Sequence, residues 1–585
     1  MAKATGFKIN KMLKKFLSAN FLMIVILLIA SVLRLYKLSV NPPSLFGDEL
    51  DLGYQSYSIL MTGKDYQGNF MPIQFHSIAE WRTPLYTYTA VPTIAIFGIT
   101  PIGVRLPAAV FGILTVLIIY LFINELLSYG KNEDSKKYAL VAAALMAVSP
   151  WSLQFSRAGF EVTQMLFLLL MGLWLFFRAL KDSKLLWLSV SFLVLTLWGY
   201  PTTKLFVPFL VMIAFVLFRK EILKMPKKSL WTGVVAGFVI GTPIILSTLF
   251  GSGSQRISDI SVIKDPLMEQ VVGKSRELDL LSGTPLIVSK ALNNKYMYFT
   301  GEFVNNYFRS FSTDFLFLKG DINLRQSAGT GLLYMIESVA LLAGLAFFLL
   351  EKNRDLKIKL LTGFWLIFGA VPSALTLGGG AHATRMALML PVLVFLTSYG
   401  WVSLYKSVLQ KYKSIFKFSV LTAYIISMVF YLHQYFTFYP FLSEKWWHNG
   451  WTDAIHTVKS VDKDYERVII SMNGEPAWIF FAANYEYPPD KWQKEFPIGR
   501  DEEISGFGKI SHIDKYYFGT PDGGVQIYGL GKYINGKTLY LANAKEHGDN
   551  LILNPEKTPP GLKLIKAIPL LSGEPAFYLF AGTAK

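Results

Sequence analysis

The sequence predicts an α-helical polytopic membrane protein of about eleven transmembrane helices, carrying a small extracytoplasmic α/β domain at its C-terminal end. Three observations predict it. Of 585 residues, 52% are hydrophobic and 17% charged, with a mean hydropathy of +0.38, which is more apolar than a soluble domain. About eleven apolar stretches approach the roughly 20 residues needed to cross a hydrocarbon core of about 30 Å. Beyond about residue 438 those stretches give way to a helical period and β-rich runs.

The first stretch, residues 17–38, follows a basic start (Lys3, Lys8, Lys11, Lys14, Lys15) and has no small-residue cleavage site. With more spans behind it, it reads as an uncleaved signal anchor. Then come residues 102–126, 138–153, 164–180, 185–200, 205–218 and 230–250, followed by 329–350, 360–377, 386–404 and 418–437. Several are short, and one holds Pro208; such breaks are tolerated where neighbouring helices shield the backbone. The apolar run from Pro84 to Gly98 is too short and Pro-interrupted to span, and is expected to lie as a helix at the outer interface.

The net charge of +17 does not point to nucleic acid, because the basic residues form short clusters between apolar stretches. Lys131, Lys136 and Lys137 follow the second stretch; Arg219, Lys220, Lys224, Lys227 and Lys228 follow the sixth. Lys352, Arg354, Lys357 and Lys359, then Lys406, Lys411, Lys413 and Lys417, continue the alternation. The positive-inside rule then sets the N-terminus in the cytoplasm of a multi-pass plasma-membrane protein. With no cysteine there is no disulfide framework, thiolate nucleophile or Cys-ligated zinc.

Under this topology residues 39–101, 154–163, 251–328 and everything after about 438 lie outside. The chain divides into a membrane module, 1–437, and an extracytoplasmic α/β domain, 438–585. The first outer loop opens with Asp48 and Glu49, just after the first span. Alone, this pair reads more simply as a solvated helix cap, where the dipole favours acids. After the third span, Arg157 and Glu161 stand four apart where the chain re-emerges. At helical spacing they could pair, an interaction of only a few tenths of a kcal/mol. Both acidic sites nevertheless meet the same leaflet, and ionisable groups clustered at a membrane boundary point to function.

The order FGDELDLGYQSY, RTPLYTYT, ITPIGVRLPAAVFGILTV, SPWSLQFSRAGFE resembles the N-terminal module of GT-C glycosyltransferases. The nearest families are the protein O-mannosyltransferases and aminoarabinose transferases; oligosaccharyltransferases share the layout. The resemblance covers roughly residues 15–440, most closely the first 205. It implies a polytopic enzyme with a catalytic Asp in the first outer loop, a second acidic motif in the next, and a sugar donor carried on a polyprenyl phosphate. Two departures stand out: Thr83-Pro84 replaces the usual paired prolines, and the second acidic motif has one carboxylate, Glu161. The first leaves the placement of Glu80 and Arg82 open; the second weakens the case for a tightly bound divalent metal on Asp48, Glu49 and Glu161.

Sugar transfer from such a donor requires a base for the acceptor hydroxyl and cations or dipoles for the departing phosphate. Asp48 suits the first role, with Glu49 positioning the acceptor or holding a metal. For the phosphate, Arg385 in GGGAHATRMAL, with His382 beside it, is the leading candidate. Arg binds phosphate bidentately, and Gly378–Gly380 would let backbone approach a ligand. The alternative is an Arg snorkelling at a helix end. Arg82, Arg105, Arg157 and Lys204 are weaker candidates.

The third outer loop sets Arg309, Asp314, Asp321, Asn323 and Arg325 among Phe308, Phe311, Phe315 and Phe317, an amphipathic pattern suited to donor recognition or to an interfacial helix. In the C-terminal region KTLYLANA, LKLIKAIPL and AFYLFAG read as strands, and no nucleotide-binding signature appears. The expected activity is sugar transfer to a hydroxyl of a protein, lipid or cell-envelope glycan on the outer face, with no nucleic-acid partner. Two other classes compete. A transporter or flippase should show half-repeats with ionisable groups near the midplane, and none is visible. An O-antigen ligase or polymerase would place essential Arg and His residues in a large loop and make the first-loop acids dispensable.

Overall fold

The computed structural model describes residues 20–78, 80–130, 134–251, 261–352, 354–496 and 501–583. The basic start and Lys131 lie outside the described residues. The chain falls into two compact units, Met1–Tyr36 with Ala108–His433 and Lys37–Pro107 with Gln434–Lys585.

The first unit is a helical bundle. Each apolar stretch read from the sequence contains a helix within its described residues, and among the described residues six helices are long and apolar enough to cross a membrane: Pro101–Tyr129, Val162–Ala179, Lys227–Phe250, Leu356–Ala374, Ala387–Ser407 and Gln410–Ser443. Asn20–Leu35, Ser183–Trp198 and Met335–Leu350 are shorter apolar helices. The third expected span is broken. Ser135–Val148 and Pro150–Ser156 meet at 57°, because Pro150 lacks an N–H and pushes Ser149 out of the helical region, to ψ 126°.

Small residues set the closest helix crossing. Between Met335–Leu350 and Leu390–Ser407, a Cβ on Gly344 would lie 1.8 Å from the Leu396 carbonyl oxygen, and one on Gly400 1.8 Å from that of Ala340. Each glycine therefore admits the other helix's backbone.

Ion pairs bring the basic clusters to one end of the bundle. Lys181 Nζ lies 2.5 Å from Glu125, Lys406 2.7 Å from Asp134, and Lys357 pairs with Glu221, which also accepts from Tyr129 at 3.3 Å. At the other end the loops are knitted together. Trp151 donates to the Ala383 carbonyl at 3.1 Å, Gln154 to that of Arg325 at 2.8 Å, and Tyr334 to that of Val148 at 2.8 Å.

The second unit is α/β. Strands β1 (Phe75–His76) and β2 (Trp81–Arg82) form an antiparallel ribbon. The main sheet contains β3 (Arg467–Ile470), β4 (Asp501–Ile504), β5 (Gly508–Ile513), β6 (Tyr516–Phe518), β7 (Thr538–Asn543), β8 (Leu562–Pro569) and β9 (Pro575–Gly582). Its order is β4-β5-β6-β3-β7-β9-β8, with β3 parallel to both neighbours and the other pairs antiparallel. The three runs read as strands are β7, β8 and β9.

The expected division at 437/438 differs from this grouping, because the first outer loop packs with the C-terminal region. That loop, with helices Gly47–Thr62 and Leu85–Phe97, is too small to bury a core alone. Tyr54 donates to the Tyr487 carbonyl at 2.8 Å, and Gln493 reaches Ser58, Thr62 and the Asp65 carbonyl at 2.9–3.0 Å.

Candidate active site

In the second unit, Asp48 and Glu49 occupy the first turn of the helix Gly47–Thr62, where their charges oppose the exposed amides of the helix start. Neighbours on a helix point about 100° apart, and these two meet different surroundings. The Asp48 side chain is 47% exposed, and Arg82 on β2 holds it: Nη2 lies 2.7 Å from Oδ1, and Nη1 donates to the Asp48 carbonyl at 3.3 Å. Glu80 is 3.8 Å from the same guanidinium. Thus Arg82 and Glu80 both reach the acidic loop.

Glu49 is fully buried. Both its oxygens accept from Arg105, each at 2.8 Å, a bidentate pair. Arg105 also donates to the carbonyls of Pro42 at 2.8 Å and Ser44 at 2.5 Å, beneath the Trp447 ring. The pair ties the helix start to the segment before it. With both oxygens occupied, Glu49 does not fit a metal shared with Asp48. Among the described residues no group of three His, Asp or Glu side chains could hold an ion.

One turn on lies Asp51, which sequence reasoning passed over. It is 1% exposed, and its Oδ1 has no hydrogen-bond partner. It lies against Ser77, Tyr66 and Arg82. Burial, only partly offset by Arg82, raises its carboxyl from the ordinary 3.8 to about 7. The signal was its i+3 spacing from Asp48, which gives one helix face two carboxylates.

In the first unit, Arg157 is 1% exposed and donates to the carbonyls of Leu33 at 2.8 Å and Arg34 at 3.2 Å, closing the end of Asn20–Leu35. Arg34, also passed over, is fully buried and binds the carbonyls of Ala147 and Met146 and the hydroxyls of Ser152 and Ser156. Arg157 and Glu161 do not share a helix: Arg157 ends Pro150–Ser156 with φ −117°, and Glu161 precedes Val162–Ala179. Their spacing of four spans a turn, which corrects the helical-pair expectation. Lys204 is half-buried in the first turn of Thr203–Ile222.

Four other candidates come together in the knitted loops of this unit. Asp321 is buried and accepts from the Asn323 and Ala383 N–H groups at 2.9 and 2.8 Å; burial raises its carboxyl pKa, these bonds and Arg385 opposing. The Arg325 carbonyl accepts from Gln154, and its N–H donates to Asn323 Oδ1 at 2.9 Å. Arg385 Nη1 donates to Thr376 Oγ1 at 2.7 Å and the Leu377 carbonyl at 2.9 Å. Burial, then Arg385, lowers the His382 imidazole to about 3, so it is neutral, and its Nδ1 is buried without a partner. The glycine run has a different use from the expected one. A Cβ on Gly379 would meet the Ser373 carbonyl oxygen at 1.9 Å, and one on Gly380 the Asn306 backbone at 2.7 Å. The close approach is therefore to the protein's own backbone.

Comparison with known proteins agrees with this architecture. Residues 81–246 match the dolichyl-phosphate-mannose-protein mannosyltransferase family. A Bacillus subtilis protein named as a candidate mannosyltransferase, YkcB, is 27% identical over 212 residues, 35% of this chain and 27% of that one. The match thus spans about a quarter of the relative's length. The structure of ArnT from Cupriavidus metallidurans bound to undecaprenyl phosphate is similar over 96% of this chain and 98% of that one, at 10% identity and a TM-score of 0.51. The archaeal oligosaccharyltransferase AglB from Archaeoglobus fulgidus, in complex with an inhibitory peptide and a dolichol-phosphate, matches over 80% of this chain and 64% of that one, at 15% identity and a TM-score of 0.47. The chain resembles the GT-C glycosyltransferases, and its fold is that of ArnT: a helical membrane protein with a C-terminal sheet domain.

Proposed function

We propose that this protein is a membrane glycosyltransferase that moves a sugar from a polyprenyl-phosphate donor to an acceptor hydroxyl on the outer face of the plasma membrane. The observation that carries the reading is the division of labour in the first turn of Gly47–Thr62. Glu49 is sealed against Arg105, while Asp48 stays half-exposed and is held by Arg82. A carboxylate that is both reachable and fixed in direction is what a general base requires.

In this reading Asp48 removes the proton of the acceptor hydroxyl. The acceptor oxygen bonds to the anomeric carbon as the bond from that carbon to the phosphate oxygen breaks, and the polyprenyl phosphate departs with the electron pair. The developing phosphate charge calls for a cation, and within the first unit Arg385, with neutral His382 near it, is the candidate for binding a phosphate. Glu49 and Asp321 are positioning residues. Arg157 holds a helix end. The basic clusters gathered at one bundle end support a cytoplasmic N-terminus by the charge rule, which leaves the acidic loop and the sheet domain outside. The mannosyltransferase family match and the polyprenyl phosphate bound by ArnT favour such a donor.

The test is transfer from a panel of radiolabelled polyprenyl-phosphate sugars in proteoliposomes, comparing wild type with Asp48→Asn. The substitution nearly conserves volume and removes the base. Turnover in wild type alone, with donor binding kept in the variant, is the expected result. Equal turnover in both would remove Asp48 from the chemistry.

A further inference from the structure

The second unit contains a cavity of about 300 Å³ that the transfer chemistry does not use. Its walls come from both parts of the unit: Tyr66 and Ser77 from the first outer loop, Trp478, Phe496, Ser511 and Phe518 from the C-terminal region. Phe518 ends β6, and Ser511 is its partner on β5, so the cavity sits at the C-terminal edge of the parallel pair β3 and β6. In α/β sheets that edge is the usual place for ligands.

The lining specifies the ligand. Among the described residues the lining holds no Lys, Arg, Asp or Glu, and its one basic side chain, His76, meets Trp81 edge-on at 4.8 Å, which favours a neutral ligand over a phosphate, a nucleotide or a carboxylate. The aromatic walls are rigid: Trp478 stacks on Trp492 at 6.0 Å and 29°, and Tyr66 meets Trp478 and Phe496 edge-on at 5.9 and 5.4 Å. Flat rings of this kind receive the C–H face of a pyranose, as they receive other apolar faces. The polar wall is Ser77, buried, with the Asp51 carboxyl behind it as its hydrogen-bonding neighbour. A hydroxyl keeps donor or acceptor capacity beyond one partner. A ring carrying hydroxyls on its rim would meet Ser77 directly. The volume is at the lower end of small-molecule sites, about 300–1,000 Å³, and suits the end of a glycan.

We infer that this cavity binds a neutral sugar ring of the acceptor, so that the acceptor is a glycan. The inference rests on the transferase reading for the word acceptor, and on the cavity alone for the sugar. Asp51 interacts with Ser77 and Tyr66 of the cavity wall and also with Arg82, the partner of Asp48. The bound ring is therefore one side-chain layer from the proposed base.

The test is saturation-transfer NMR on the full chain in lipid nanodiscs, using the methyl glycosides of glucose, mannose and N-acetylglucosamine. At least one should receive saturation on its ring protons. Trp478→Ala should weaken the signal about fivefold or more through loss of the stacking face. The milder Phe496→Leu, which keeps an apolar wall, should weaken it in part, and Asp48→Asn should leave it intact. In turnover assays with a glycan acceptor, both cavity variants should raise the acceptor KM with little change in kcat. No saturation of any glycoside in wild type, or equal saturation in both cavity variants, would overturn the inference. No turnover of any donor by wild type alongside intact sugar binding would sink the transferase reading and leave the sugar site standing.

Discussion

Replacing Glu49 by Gln separates an anchoring role from a chemical one. The side chain is fully buried and both oxygens are engaged by Arg105 at 2.8 Å. The substitution keeps the shape and one acceptor oxygen but removes the counter-charge of Arg105, which otherwise meets only the neutral Pro42 and Ser44 carbonyls. Removing one partner of a buried pair costs about 3–5 kcal/mol, because the remaining charge stays in a low dielectric uncompensated. For a unit of this size, each kcal/mol corresponds to roughly 2–4 °C in the unfolding midpoint. The expected loss is therefore on the order of 10 °C in detergent micelles, read by intrinsic fluorescence, with turnover falling as the helix start loosens.

Removing both charges, Glu49→Gln with Arg105→Met, should recover much of that loss, since an apolar replacement of a buried pair is often neutral. The double-mutant cycle isolates the coupling. A Glu49→Gln protein with a wild-type midpoint and no turnover would refute the anchoring argument and return Glu49 to the chemistry.

Three further outcomes follow from the same geometry. Arg385→Ala should weaken polyprenyl-phosphate binding about tenfold or more by removing a charge-assisted donor, measured by equilibrium binding; unchanged affinity would make Arg385 a loop tether to Thr376 and Leu377. Asp51 binds its proton more tightly folded, at about 7, than its ordinary 3.8. Its contribution is thus present at low pH and lost as pH rises from about 4 to 7. The midpoint of Asp51→Asn should accordingly gain on wild type across that window, and a constant difference would show that Asp51 does not titrate there. Gly344→Ala should drive apart two helices whose backbones meet at 1.8 Å from the added Cβ, lowering the midpoint by several degrees; a wild-type melting curve would contradict that crossing.

The legible parts of the fold were those set by local sequence. The apolar stretches each contain a helix, because helical apolar length is a property of one segment, and β7, β8 and β9 are where the β-rich runs put them. Pro150 shows the limit: the stretch 138–153 was apolar throughout, yet one missing N–H bends it by 57°. In the candidate site, the first-loop acids and the Arg385 loop were visible as motifs. Asp51 was marked only by its i+3 spacing from Asp48, and its burial is set by Tyr66 and Ser77 from further along the loop. The carbonyl partners of Arg157, Leu33 and Arg34, were not legible, since they lie more than a hundred residues away.

By itself the sequence determined a polytopic helical protein with one basic side, an acidic first loop and a C-terminal sheet, because hydrophobic length, charge alternation and strand patterning are each written in contiguous residues. Only the tertiary structure decided which of two adjacent carboxylates meets solvent. Asp48 and Glu49 are chemically near-equivalent along the chain, and the helix turns them toward different neighbours. Arg105, from 56 residues away, closes over one, and Arg82 steadies the other in the open. The environment that makes one an anchor and leaves the other reachable is assembled from distant segments, so it exists only in the folded protein.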